Sequence, residues 1–285
     1  MSAAFREAEK GAHRMSEFLG DADFERYRKL IYDASGIHFS ATNRSILESR
    51  LKERLRDKKL EGLKEYYPIL LSDKEELKTL LDSVTTNLTR FFRNQAHFDA
   101  VEHHVLPELI KIRGNSADRK LRFWSAGCST GEEPYTIAML LKECLPAGWG
   151  FEVVASDISL KCLMVGKEGF YADGRMQGVP DAYLAKYFDR KPGGYQIKDD
   201  IRRFVRFDYH NLKHDSGLLN LDAVFCRNVL IYFDEAAQKA TVERFYEAMA
   251  PKSFLFIGHS ESLFGMNTKF EFVKTDWACF YRKFI

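Results

Sequence analysis

Paired cysteines are missing. The five cysteines, at 128, 144, 162, 226 and 279, are odd in number and form no Cys-x-x-Cys pair. That excludes a disulfide framework and a zinc ribbon, and it is the usage expected of a reducing, cytoplasmic setting. Long apolar runs are missing too. None approaches the roughly 18 residues of a spanning helix, so no membrane insertion is expected. The opening MSAAFREAEKGAHR has mixed charge and no apolar core, and does not read as a secretory signal. Net charge is only +2, too small to argue by itself for nucleic acid or a membrane surface. Repeats and low-complexity tracts are absent. What is there is ordinary globular material, 45% hydrophobic and 29% charged over 285 residues. That is enough for a real core and, at roughly 100–200 residues per domain, for two domains.

Residues 21–113 read as helices. DADFERYRKLIYDASG places Phe24, Tyr27, Leu30, Ile31 and Ala34 at helical spacing, with Gly36 as the stop. Ile46, Leu47, Leu51 and Leu55 form the stripe of a second helix. Ser72 and Glu75 suggest a capping box ahead of Leu77, Leu80, Leu81 and Val84. A longer helix then runs through Phe98, Val101, Val105, Leu106, Leu109 and Ile112. The expected organisation is a helical domain over 16–113, a polar linker over 114–119 and a second domain over 120–285. In that second part the rhythm changes. The runs LRFWSAG, FEVVASD, LDAVFCRN and SFLFIGHS alternate with helical stretches, which predicts an α/β, doubly wound, mostly parallel sheet. The stretch GGYQIKDDIRRFVRFDY interrupts the alternation and reads as two antiparallel strands after the helix DAYLAKYF, so a small β annex is expected over about 178–209.

Open α/β sheets bind ligands at the carboxyl ends of their strands. The first strand ends in SAGCSTGEEPY, which is neither Gly-x-Gly-x-x-Gly nor a P-loop. Glu132 and Glu133 open the following helix, where a pyrophosphate would meet like charge. The second strand ends at Asp157, an acidic residue suited to ribose hydroxyls. An adenosine cofactor with a cationic end and no phosphate fits this turn, and S-adenosylmethionine is such a molecule. The helix N-terminus favours its carboxylate, and Glu133 is placed for an amine or a ribose hydroxyl. His103, His104, His210 and His214 complete no ligand set, so no metal is expected.

The stretches TTNLTRFFR (85–93) and VFCRNVLIYF (224–233), with SAGCSTGEEPY, ASDIS and FIGHSE, resemble the CheR-type chemotaxis methyltransferases from about residue 21 to the C-terminus. The resemblance implies a Rossmann-like class I methyltransferase sheet with an inserted antiparallel β-subdomain, preceded by an all-helical domain. It also implies methyl transfer from S-adenosylmethionine to glutamate side chains of bacterial chemoreceptors, leaving S-adenosylhomocysteine. Cofactor contacts are implied at Asn87, Thr89, Arg93, Glu133, Asp157, Asn211, Leu212, Arg227 and Asn228. Tyr232 is implied beside the sulfonium, and Arg50 in receptor contact. Glutamate is already ionised at neutral pH, so in-line attack needs orientation rather than a base. Arg93 and Tyr232 are the residues expected to orient it.

Residues 41–60 carry seven basic side chains against three acidic ones, and Arg50, Arg54 and Lys58 share a helix face at i, i+4, i+8. Charge alone leaves open a solvated face or nucleic acid. The resemblance favours the cytoplasmic signalling domain of a chemoreceptor as partner, with Arg50 and Arg54 as recognition residues, no nucleic acid, and a monomer. A second reading is a non-catalytic S-adenosylmethionine-binding adaptor. A nucleic-acid methyltransferase is disfavoured because no Asn-Pro-Pro-Tyr motif ends the fourth strand. The turn RKPGGYQ is short beside those of members that dock on a receptor tether, so tether dependence is not expected.

Overall fold

The computed structural model describes residues 18–114 and 118–285. It forms two compact units that divide after Val84. Half of the expected linker, residues 115–117, lies outside the described residues.

Among its described residues the first unit holds four α-helices: α1 (Asp21–Ser35), α2 (Arg44–Lys58), α3 (Leu63–Ser72) and α4 (Lys74–Val84). Gly36 ends α1 as expected, in the left-handed region at φ 79°, with its N–H donating to Tyr32 O at 2.8 Å. Leu47, Leu51 and Leu55 of α2 are buried with Tyr27, Ile31, Tyr66 and Leu80. The expected capping box at Ser72 is corrected. Asp73 is the cap, its Oδ1 accepting from the N–H groups of Glu75 and Glu76 at 3.0 and 3.1 Å, while Ser72 Oγ donates back to Pro68 O. An ionised carboxylate is the stronger acceptor for the two orphan amides.

The second unit begins with α5 (Gln95–Ala100), which continues through a π turn at Val101–Val105 into α6 (Leu106–Arg113). The sequence expectation placed this segment in the helical domain. Its apolar face instead joins the sheet: Phe98, Val101, Val105, Leu106 and Leu109 share one core cluster with Phe123 and Phe225. The boundary therefore moves from 113/114 to 84/85.

The main sheet contains β1 (Lys120–Ala126), β2 (Gly150–Asp157), β6 (Val205–Tyr209), β7 (Leu221–Cys226), β8 (Met249–Ile257), β9 (Glu271–Lys274) and β10 (Cys279–Lys283), in the order β6-β2-β1-β7-β8-β10-β9. The first five are parallel; β10 pairs antiparallel with β8 and β9. Crossover helices α7 (Glu132–Cys144), α8 (Leu160–Glu168) and α11 (Glu235–Ala248) follow β1, β2 and β7. Successive strand side chains alternate between faces, and the two cores show it. Phe225, Phe254 and Phe256 lie in one cluster, while Val224, Cys226, Leu255 and Ile257 lie in the other. The strands are thus buried on both faces, as helix-covered parallel strands must be.

The annex differs from its expectation. Its sheet is β3 (Phe170–Ala172), β5 (Gly194–Ile197) and β4 (Phe188–Lys191), all antiparallel, with α9 (Asp181–Tyr187) before the β4–β5 hairpin. The stretch after α10 (Asp199–Arg202), read as the second annex strand, is β6 of the main sheet. It runs parallel to β2, with Val205 opposite Val153 and Tyr209 opposite Asp157.

Candidate active site

The carboxyl ends of five parallel strands converge on one rim, and each contributes a loop. After β1 the chain turns at Gly127, whose φ is +81°; a Cβ there would lie 2.4 Å from Val229 Cγ2, so only glycine fits beside the β7 loop. The N–H groups of Gly127 and Cys128 both donate to Ser156 O, at 2.8 and 2.9 Å, which ties the turn to the end of β2. Ser129 takes a left-handed conformation at φ 49°. Its N–H donates to Asp157 Oδ2 at 2.8 Å and its hydroxyl to Asn87 O at 3.1 Å. Ser159 N donates to the other oxygen, Oδ1, at 2.9 Å. One serine thus joins three expected elements: the glycine turn, the β2 acid and the TTNLTRFFR segment.

Glu133 is paired within the protein. Its oxygens accept from Ser125 Oγ and from Arg227 Nε, both at 2.7 Å. The pair is buried, and Arg227 also lies over the Phe98 ring and 3.4 Å from His97 Nδ1. Two residues expected to contact the cofactor are therefore partners of each other, because a buried charge is tolerable only when paired. Burial, followed by the nearby Arg227 and His259, lowers the His97 pKa to about 3. Glu132 is fully buried on the other side of the helix start. Burial raises its pKa even though Thr130, at 2.7 Å, and Arg175, also at 2.7 Å, pull against it. Both glutamates also sit in the first turn of α7, where the helix dipole favours negative charge.

Asn228 ends β7 in the left-handed region at φ 61°. Its N–H donates to Glu261 Oε2 at 2.9 Å. Tyr232 closes a short 3-10 turn, Leu230–Tyr232, and is half-buried. Past β6, Asn211 Oδ1 accepts from Lys213 N at 3.0 Å, and Leu212 is buried in the second core cluster. Arg93 folds onto its own loop, donating to Leu88 O at 2.8 Å, and Asn87 Nδ2 donates to Thr85 Oγ1 at 3.1 Å. Thr89 lies half-buried on that same loop. Structure thus links Asn87 with Asp157 and Glu133 with Arg227; no hydrogen bond joins Arg93 to Tyr232 among the described residues.

Several residues at the rim were not singled out from sequence. Ser129 and His97 carry no signal that separates them from any buried serine or histidine. Thr130, Tyr171 and Arg175 connect the annex to the glycine turn: Tyr171 Oη donates to Thr130 O at 2.8 Å and Arg175 to Thr130 Oγ1 at 2.7 Å. Glu261 was visible only as the last letter of FIGHSE, a polar residue just past a buried strand.

On the basic helix α2 the two arginines differ. Arg54, with a side chain 12% exposed, forks onto buried Glu76 at 2.8–3.0 Å and also meets Asp57. Lys58 reaches Glu76 at 2.7 Å, and Tyr66 Oη donates to it at 2.8 Å. Burial would raise the Glu76 pKa, but Lys58, Arg54 and Tyr66 outweigh that and lower it. The Arg54 guanidinium neutralises a buried carboxylate. Arg50, at 40% exposure and 3.4 Å from Glu53, faces outward.

The donor set at the rim suits one kind of ligand. An aspartate closes β2, amides stand after β6 and β7, and acids rather than lysines open the helix after β1. That chemistry matches a ribose, an adenine edge and a cationic sulfur, and it is wrong for a pyrophosphate. With an antiparallel β10 seated between β8 and β9, the sheet and this rim define a class I S-adenosylmethionine-dependent methyltransferase domain.

Residues 87–279 match the CheR methyltransferase, SAM binding domain, and residues 22–85 match the CheR methyltransferase, all-alpha domain. The chain belongs to the CheR methyltransferase family. It is 36% identical over 253 residues to chemotaxis protein methyltransferase 2 of Vibrio cholerae, covering 86% of this chain and 87% of that protein. It is 35% identical over 259 residues to the chemotaxis protein methyltransferase of Borreliella burgdorferi, covering 88% and 91%. The Escherichia coli chemotaxis protein methyltransferase is 35% identical over 263 residues, with 88% of each chain covered. No described helix is long and apolar enough to cross a membrane.

Proposed function

We propose that the protein methylates glutamate side chains on the cytoplasmic signalling domain of bacterial chemoreceptors, in the cytoplasm and as a monomer. The observation that carries this reading is the junction at Ser129, which brings the TTNLTRFFR loop onto the strand-end aspartate. A binding-only adaptor has no need to join a second segment to the cofactor turn. When bound, S-adenosylmethionine supplies a methyl group on a positively charged sulfur. A glutamate oxygen would take that methyl group, with the electron pair of the carbon–sulfur bond left on sulfur and no proton moved.

The chain's own residues then have three tasks. Asp157 holds the ribose, with Asn211 and Leu212 against adenine. Asn87, Thr89, Glu133, Arg227 and Asn228 line the remaining wall, with Glu133 also paired to Arg227. Arg93 and Tyr232 orient the incoming carboxylate and exclude water, the condition for in-line attack. Arg50 faces the acidic surface of the receptor bundle, which is complementary to a basic helix.

The test is transfer from methyl-tritiated S-adenosylmethionine to purified receptor signalling domains, scored as base-labile methyl ester. Label on protein glutamates is expected. Cofactor binding without protein label would favour the adaptor reading and overturn this one.

A further inference from the structure

Glu261 receives three backbone amides from the loops that follow β7 and β8. Oε2 accepts from Asn228 N at 2.9 Å and from Gly258 N at 2.5 Å, and Oε1 accepts from Ile231 N at 3.2 Å. These donors are not a random set. Asn228 ends β7 in the left-handed region, φ 61°, which non-glycine residues rarely adopt. Ile231 precedes Tyr232 in the 3-10 turn. Gly258 ends the neighbouring strand, and the three groups leave no space between them. A Cβ on Gly258 would lie 2.6 Å from Glu261 Oε2, 2.8 Å from Asn228 N and 2.9 Å from Asn228 Nδ2. Three amide donors thus converge on one carboxylate, the strong kind of hydrogen-bond acceptor.

We propose that Glu261 is a positioning residue for methyl transfer: its carboxylate fixes the Asn228 elbow and the Tyr232 turn in the geometry the reaction needs. This rests on the reading above that Asn228 and Tyr232 border the reacting groups. Glu261 itself touches backbone only. Its effect falls on turnover, because a small displacement of an orienting group costs rate steeply. Of the residues proposed to hold the cofactor, Asn228 is braced by these bonds while Asp157 and the glycine turn make none of them, so cofactor affinity falls far less than turnover.

The experiment combines methyl-transfer kinetics on the receptor signalling domain, calorimetry with S-adenosylhomocysteine, thermal unfolding and amide hydrogen exchange. A folded Glu261→Ala variant is expected to lose on the order of 10- to 100-fold in kcat, with affinity for S-adenosylhomocysteine changed by less than about threefold. Exchange at the Asn228, Gly258 and Ile231 amides should rise. Glu261→Gln keeps one acceptor oxygen and should recover part of the turnover. Gly258→Ala displaces the same groups and should be less than additive with Glu261→Ala. Turnover within about twofold of the parent in folded Glu261→Ala, or a loss of melting temperature with no loss of kcat, overturns the proposal. Should Glu261→Ala not fold, Glu261→Gln decides: lowered kcat at unchanged affinity supports the role, and unchanged kcat sinks it. A parent protein that forms no methyl ester would overturn the proposed reaction, while exchange protection at the three amides, lost in the variant, would still report the anchor.

Discussion

At the scale of single residues, Asp157 is the plainest place to probe cofactor binding. It stands at the end of a buried strand and accepts amides from both flanking loops. Asp157→Ala is expected to weaken S-adenosylhomocysteine binding by about 1.5–3 kcal/mol, the range for losing a charged hydrogen-bond partner. Asp157→Asn keeps the shape and should fall between; calorimetry on both separates ribose contact from loop support. An unchanged affinity in a folded Asp157→Ala variant would remove the ribose role. Tyr232→Phe asks a different question. The ring keeps its place in the 3-10 turn while the hydroxyl goes, so turnover should drop more than cofactor affinity. Equal losses in kcat and in affinity would mean that Tyr232 only shapes the pocket.

At the scale of elements, caps and registers decide what was readable. Asp73→Ala is expected to cost about 1 kcal/mol of stability and Ser72→Ala much less, measured by denaturant unfolding; the reverse order would restore the serine cap. The four buried strand runs were legible because β-branched and aromatic residues between polar turns leave few alternatives. The helices were legible from their stripes, and α11 starts at Asp234 as its sequence suggests, Oδ1 accepting from Ala237 N at 2.9 Å. Two assignments failed for one physical reason: periodicity says that a face is apolar, not what covers it. The helix through Phe98 and Leu109 has the same stripe whether it packs on helices or on a sheet. Val205–Tyr209 has the same alternation whether its neighbour is a hairpin partner or β2. At the site, Asp157 and the glycine turn were legible because the chain around them is unusual. The Glu133–Arg227 pair was not, since 94 residues separate its members and only the fold brings them together.

Across the whole molecule, charge placed inside the protein sets how stability responds to acid. The folded His97 pKa, lowered to about 3, lies below the ordinary unfolded value near 6.5. Its contribution is therefore complete above pH about 6.5 and is lost as pH falls toward 3, because the unfolded chain binds the extra proton first. Unfolding free energy should fall by up to about 1.4 kcal/mol per pH unit in that window from this group alone. Glu76, lowered in the first unit, adds loss of the same sign as pH falls below its ordinary value of 4.5. His97→Asn should flatten the upper part of the profile, between about pH 6.5 and 5; an identical slope would show that His97 is not the group responsible. The outward arginine tests the other unit. Arg50→Glu is expected to spare folding and cofactor binding and to raise the apparent KM for receptor. The effect should shrink with added salt, since exposed charges are screened beyond about 8 Å at physiological ionic strength. Unaltered methylation at low salt would take the helix out of the recognition scheme, and a loss of cofactor binding would make it a support of the site.

The annex has a consequence for how this fold can be rebuilt. Phe91 of the TTNLTRFFR loop packs edge-on against Tyr171 and Phe188, at 4.9 and 5.4 Å, and Tyr171 also holds Thr130. The small sheet is therefore a keystone between two loops of the site and not a detachable accessory. Excising it to make a minimal enzyme would unseat both loops at once. The hairpin tip at Pro192 and Gly193 is an open address for grafting: a Cβ on Gly193 would meet nothing within 4 Å, and its φ of +78° keeps glycine at that one position. New specificity can be added at that tip without disturbing what the sheet already braces.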